Sequence, residues 1–174
     1  DTIQSIIIGI VEGLTEFLPV SSTGHMIITE KLLNITENDF TKVFTIAIQL
    51  GAILAVVVLY WKKFIDFKNW QFYAKIAAGV VPALILGFLF SKKIDALLES
   101  STTVAVSLLI GGIILLFIDN VFKNPEIDKE EDVSFFKAMM IGVWQCIAMI
   151  PGVSRSAASI IGGMQQKLTR NAAA

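Results

Sequence analysis

The chain has 174 residues, 55% hydrophobic and 17% charged, with a formal net charge of -1 and a mean hydropathy of +0.72. Soluble domains carry roughly 25% charged residues, so this balance points to lipid, and the near-neutral charge argues against a nucleic-acid partner, which favours clustered Lys and Arg. The single cysteine, Cys146, sits in an apolar run, which excludes disulfides and cysteine metal sites and reads as a small buried hydrophobe.

The first apolar segment covers residues 6–33 and is broken at Pro19 by Leu18-Pro19-Val20-Ser21-Ser22-Thr23-Gly24-His25. It lacks the basic start and cleavage site of a signal peptide, and a chain beginning at Asp1 rather than Met is expected to be trimmed. Glu12 and Glu16 are four residues apart and so share one helical face. Their neighbours Ile6, Ile7, Ile8, Ile10, Val11, Leu14, Phe17 and Leu18 leave little polar surface for an ordinary pair of exposed acids. Two carboxylates in an apolar segment are costly unless paired, protonated or bound to a cation. They are therefore candidates for a hard divalent metal, Mg²⁺ or Ca²⁺, or for acid/base work. Ser21, Ser22 and Thr23 stand where a second half-helix begins. Hydroxyls there serve as N-caps, and the same helix end offers free N–H donors and a positive dipole to phosphate. His25 follows Ser22 by three residues, close to its face, as a structural hydrogen bonder or a proton carrier near neutral pH.

Three ordinary spans follow, over Val43–Trp61, Ala74–Phe90 and Thr103–Ile118, each near the ~17–25 residues that cross the hydrocarbon core. Tyr60, Trp61, Trp70 and Tyr73 suit the interfacial aromatic belt, and Pro82 predicts a kink within the second span. The last apolar segment, residues 135–168, is broken at Pro151 by Ile150-Pro151-Gly152-Val153-Ser154-Arg155-Ser156. A guanidinium at that depth needs an anionic partner; the fork of Arg155 suits phosphate oxygens, and a salt bridge to Glu12 or Glu16 is the structural alternative. Gly152 permits close backbone approach, and Ser154 and Ser156 can cap the second half-helix.

Each half of the two broken segments is too short to cross a bilayer and too apolar for water, the pattern of a re-entrant pair. Ile8-Gly9-Ile10 before Pro19 parallels Ile141-Gly142-Val143 before Pro151, a weak internal repeat. The expected fold is an all-α polytopic membrane protein, an inverted repeat with two re-entrant helix pairs meeting at midplane. One membrane domain over 1–174 would hold re-entrant pair 1 at 6–33, three transmembrane helices at 43–118 and re-entrant pair 2 at 135–168. Completing the repeat takes about three more spans after Leu168, so the chain reads as the N-terminal two-thirds of a longer one. Lys62, Lys63, Lys68 and Lys75 place the Lys62–Lys75 connection in the cytoplasm, the acidic Asn120–Ser134 loop with it, and the Ser91–Thr102 loop outside. The ligand implied is strongly anionic and delivered from lipid.

The motifs Glu12-Gly-Leu-Thr-Glu16-Phe-Leu-Pro-Val-Ser-Ser-Thr-Gly-His25 and Pro151-Gly-Val-Ser-Arg155-Ser resemble the two signatures of the bacterial undecaprenyl-diphosphate phosphatases, the bacitracin resistance family. The likeness runs through the whole chain, including Ile48-Gln49-Leu50-Gly51, and departs at Ala157 and Ser159, where the family commonly has Gly and Thr. Relatives continue for three more helices. The resemblance implies release of the terminal phosphate of undecaprenyl pyrophosphate, giving undecaprenyl phosphate for lipid-carrier recycling in peptidoglycan synthesis. It implies Glu16, Ser22, His25 and Arg155 as catalytic residues, Ser21, Thr23, Gly152, Ser154 and Ser156 as substrate-binding, and Glu12 with Glu16 as ligands of a divalent cation (Mg²⁺ or Ca²⁺). Ser22 would be the nucleophile with His25 as acid/base, or water activated by Glu16 would attack directly. The setting implied is the bacterial inner membrane, with lipid as the other partner, the site open to the periplasmic side and a homodimer as a further expectation. The rival reading is a lipid-phosphate transporter or flippase using the same midplane site; a purely structural scaffold would not retain charges at midplane.

Overall fold

A computed structural model describes residues 1–36, 38–65, 69–98 and 100–174. Lys68, counted above in the Lys62–Lys75 connection, lies outside the described residues, as do the side chains of Lys63 and Glu130. The described residues are helical apart from turns and one isolated bridge between Ile127 and Leu168. In chain order the helices are α1 (Thr2–Thr15), α2 (Ser22–Leu32), α3 (Asp39–Leu59), α4 (Trp61–Ile65), α5 (Trp70–Leu98), α6 (Ser101–Val121), α7 (Phe135–Gln145), α8 (Arg155–Gln165) and α9 (Arg170–Ala173).

Among the described residues three helices are long and apolar enough to cross a membrane: Asp39–Leu59, Trp70–Ile94 and Ser101–Val121. Their apolar side chains face outward, with Phe88 85% and Leu116 76% exposed. Apolar surface on that scale is stable only against lipid, and the chain is a membrane protein. The second long helix begins earlier and ends later than hydropathy alone suggests. It runs through Pro82 and continues past Lys92 and Lys93 to Leu98, which replaces most of the expected Ser91–Thr102 loop with helix. Lysine is a good helix former, and α6 starts at once because the Ser100 hydroxyl accepts from the Thr103 amide at 3.2 Å.

On either side of this trio sits a helix–break–helix hairpin. At ~1.5 Å per residue, the 14 residues of α1 extend about 21 Å, and the 11 residues of each of α2, α7 and α8 about 16 Å, against ~30 Å of hydrocarbon. Each hairpin is tied at its open end by one side chain. Gln4 Nε2 donates to the Leu33 carbonyl at 3.1 Å, and Lys137 Nζ to the Gln166 carbonyl at 3.0 Å. The second hairpin is further pinned where Ile127 N donates to Lys167 O at 3.0 Å and Thr169 N to Ile127 O at 2.8 Å. Arg170 pairs with Asp119 at 2.7 Å, and Lys167 with Glu126, whose carboxyl it holds below its ordinary value. Cys146 is part-buried rather than fully buried as expected, its thiol on the Gly142 carbonyl at 3.3 Å.

The hairpins differ in how they seat. A Cβ on Gly142 would lie 1.9 Å from the Gly79 carbonyl oxygen, so α7 lies backbone-on-backbone against α5. Gly9, its counterpart in the internal repeat, has open space around it. Backbone cannot yield as a side chain tip does, so Gly142→Ala should force α5 and α7 apart at about 1–3 kcal/mol. We expect a lower thermal midpoint in detergent for Gly142→Ala and none for Gly111→Ala, whose added methyl meets nothing within 4 Å.

Candidate functional site

Pro19 and Pro151 end the first arm of each hairpin, since proline lacks the N–H a helix interior needs. Each second arm then begins at a serine cap: Ser21 Oγ accepts from Gly24 N at 3.3 Å, and Ser154 Oγ from Ala157 N at 3.2 Å. One amide of each first turn is thereby satisfied, and the amides before it have no partner within the helix. Ser21 reaches its capping position with φ of 64°, a left-handed conformation unusual for a side-chain-bearing residue. Its turned carbonyl accepts from His25 Nδ1 at 2.8 Å.

The two breaks meet although 138 residues separate their contacting groups: Ser156 Oγ donates to the Leu18 carbonyl at 3.3 Å. Between them lies a cavity of about 450 Å³, lined from the first hairpin by Glu16, Ser21, Ser22 and Thr23 and from the second by Gly152, Ser154, Arg155 and Ser156. That volume falls in the ~300–1,000 Å³ range of small-ligand sites. Both helix N-termini thus border one space, where two positive dipole ends favour an anion.

Three polar groups set the chemistry. The Ser22 hydroxyl, on a buried residue, donates to Glu16 Oε2, an arrangement in which a carboxylate can take the proton of an attacking oxygen. Arg155 is exposed along the cavity wall, and among the described residues no ion pair holds it; the salt bridge to Glu12 or Glu16 does not form. Glu12 is only 1% exposed, and neither of its carboxylate oxygens has a hydrogen-bond partner. A buried carboxylate left like this is costly. Glu12 and Glu16, one helical turn apart on one face, are the two carboxylates that could hold a cation beside the cavity. Among the described residues no three His, Cys, Asp or Glu side chains converge. Two carboxylates fit Mg²⁺, which keeps waters and takes remaining ligands from bound phosphates.

Of the residues singled out from the sequence, eight line the cavity and two do not. Glu12 lies behind Glu16, and His25 is turned to the Ser21 carbonyl instead of the Ser22 hydroxyl. Gly152 is required by packing as much as by a ligand: its φ is +90°, and a Cβ would lie 2.5 Å from the Val104 carbonyl. Gln145 and Ser159 also line the cavity, and Gln49 Nε2 donates to Thr23 Oγ1 at 3.4 Å. The available signal for Gln49 was a lone amide in an apolar span. Ala157 is buried, and Ser159 returns its hydroxyl to the Arg155 carbonyl at 3.0 Å, so both positions where the motif departs from the usual pattern are accommodated locally. Gly152→Ala should cost about 1–2 kcal/mol from the left-handed backbone alone, with the Val104 clash added. The expected reading is a lowered thermal midpoint together with faster amide exchange over 150–156.

Residues 5–174 match the family model described as Bacitracin resistance protein BacA. The chain is 63% identical over 172 residues to an undecaprenyl-diphosphatase of Flavobacterium psychrophilum, covering 99% of this chain and 64% of that relative. It is 57% identical over 175 residues to one of Flavobacterium johnsoniae (100% and 65%), and 49% over 174 residues to one of Aquifex aeolicus (98% and 67%). The chain therefore spans a little under two-thirds of the length of the first two relatives.

Proposed function

The chain belongs to the bacitracin resistance protein BacA family, and on that premise we propose that it carries the active site of a membrane phosphatase acting on undecaprenyl pyrophosphate. The product would be undecaprenyl phosphate, returned as lipid carrier to peptidoglycan synthesis, with inorganic phosphate released. One observation carries the reading: a serine hydroxyl donating to a carboxylate, in a cavity that also presents an arginine with no ion-pair partner among the described residues. A carrier would need the arginine but not the paired hydroxyl and carboxylate.

In this scheme the pyrophosphate lies between the two helix N-termini, its oxygens held by Arg155 and by the first-turn groups of Ser21, Thr23, Ser154 and Ser156. Ser22 Oγ attacks the terminal phosphorus as its proton passes to Glu16, and the anhydride bond breaks with undecaprenyl phosphate as leaving group. Glu16 returns that proton to Ser22 Oγ as water displaces it from the phosphoserine, and inorganic phosphate leaves. Phosphate trapped on Ser22 would support this order; a phosphate-free Ser22 during turnover favours water activated by Glu16. His25, held on the Ser21 carbonyl, acts by fixing the strained turn that presents Ser22. Glu12 and Glu16 would hold a divalent cation, which when bound neutralises charge on the pyrophosphate oxygens.

The membrane is the bacterial inner membrane, and the two hairpins are re-entrant, entering from opposite faces because three crossings separate them. Lys75 Nζ donates to the Glu131 carbonyl at 2.8 Å, which supports one common side for the Lys62–Lys75 and Asn120–Ser134 connections. Lysines put that side in the cytoplasm. Ile94, near the opposite end of α5, lines the cavity, which supports an opening to the periplasmic side.

The test is phosphate release from undecaprenyl pyrophosphate in detergent by the full-length protein. Chelator should suppress it, and Glu16→Gln and Arg155→Ala should each lower kcat by about 10²–10³-fold, the usual cost of removing one group that stabilises developing charge. No release from well-folded protein would overturn the phosphatase and favour the carrier.

A further inference from the structure

From Val43 to Leu59 the only polar side chains of α3 are Thr45 and Gln49. They are four residues apart and so lie on one face. Both are used on α2: Thr45 Oγ1 donates to Glu30 Oε1 at 3.2 Å, and Gln49 Nε2 to Thr23 Oγ1 at 3.4 Å. Thr23 and Glu30 are seven residues apart, two turns along one face of α2, so the bonds form an antiparallel polar seam. Gln49 is the eleventh of the 21 residues of α3, about 15 Å from either end and hence mid-hydrocarbon. An amide at that depth is expensive to keep. It is spent on the one residue in the seam that also lines the cavity, Thr23.

A hydroxyl has one proton to give and lone pairs to receive. Because Gln49 donates to the Thr23 oxygen, that oxygen is the acceptor in this bond and the Thr23 proton stays free for something else. The cavity beside it, bordered by two helix N-termini and Arg155, favours an anion. We propose that Gln49 is a positioning residue that sets Thr23 as a hydrogen-bond donor to an anionic phosphate oxygen in the cavity. The identity of that anion as a pyrophosphate headgroup rests on the phosphatase reading above.

The test is the affinity of full-length protein in detergent for inorganic pyrophosphate, read by calorimetry, with KM and kcat for undecaprenyl pyrophosphate measured alongside. Gln49→Leu should weaken pyrophosphate about tenfold, the scale of a hydrogen bond to a charged group, and raise KM more than it lowers kcat. Gln49→Glu should be worse, since a carboxylate takes the Thr23 proton for itself. Thr23→Val with Gln49→Leu should be no weaker than Thr23→Val alone, because the two act through one bond. Thr45→Val breaks the neighbouring bond of the seam and should leave affinity unchanged if positioning of Thr23 is what matters. Unchanged pyrophosphate affinity in Gln49→Leu, additive losses in the double variant, or an equal loss in Thr45→Val would each overturn the proposal. Failure of the unmodified protein to release phosphate from the lipid would sink the phosphatase reading alone, with the pyrophosphate affinities still deciding the role of Gln49.

Discussion

In hydrocarbon a backbone break is tolerated only where the freed groups find partners inside the protein, and the two breaks in this chain are partners for each other. The Leu18 carbonyl, which accepts from the Val20 amide at 2.8 Å within its own turn, also accepts from Ser156 in the first turn of α8. Serine caps at 21 and 154 satisfy the next amides in place. Both capped helix N-termini border the cavity between them. The site is thus a consequence of two helix breaks that meet: the first-turn groups of both second arms border the same cavity.

That arrangement gives the glutamates different work although they share a helical face. Glu16, capping the C-terminal end of α1 and lining the cavity, accepts a hydrogen bond from the Ser22 hydroxyl. Glu12, one turn deeper, is sealed in with no hydrogen-bond donor. A helix C-terminus carries partial negative charge, so neither the helix nor the neighbouring Glu16 relieves it. A divalent cation held by Glu12 and Glu16 would relieve that conflict, which is the reason for proposing these two carboxylates as its ligands.

Much of this was legible in the residues, and the gaps have physical causes. Uninterrupted apolar length marked the three crossings. The proline–serine spacing marked both breaks and their caps. The ends of α5 were not legible, because Lys92 and Lys93 read as loop by hydropathy and as helix by propensity, and local propensity prevailed. The pairings that build the site were also hidden: Ser156 to Leu18, Gln49 to Thr23 and Gly142 against Gly79 each join positions far apart in the chain. His25 shows the limit of proximity in sequence. One turn from Ser22, it still turns back to Ser21, because the left-handed turn at Ser21 presents its carbonyl to the ring before the hydroxyl comes within reach.

The internal repeat is one of geometry and not of chemistry. Both hairpins break at a proline, cap with a serine and tie their open ends with a side chain donating to a backbone carbonyl. Yet the acids lie only on the first and the guanidinium only on the second, and the second lies backbone-on-backbone against a long helix at Gly142, whereas the first meets the Leu108 side chain at Gly24. A symmetric pair would bring like charges together at the tips, two acids repelling an anion or two arginines repelling each other. In this chain one tip carries the carboxylate that accepts from Ser22 and the other the guanidinium. Neither hairpin holds a complete site alone. Arg155 has no carboxylate partner among the described residues, so an anion entering between the tips would supply the compensating charge that the protein itself does not.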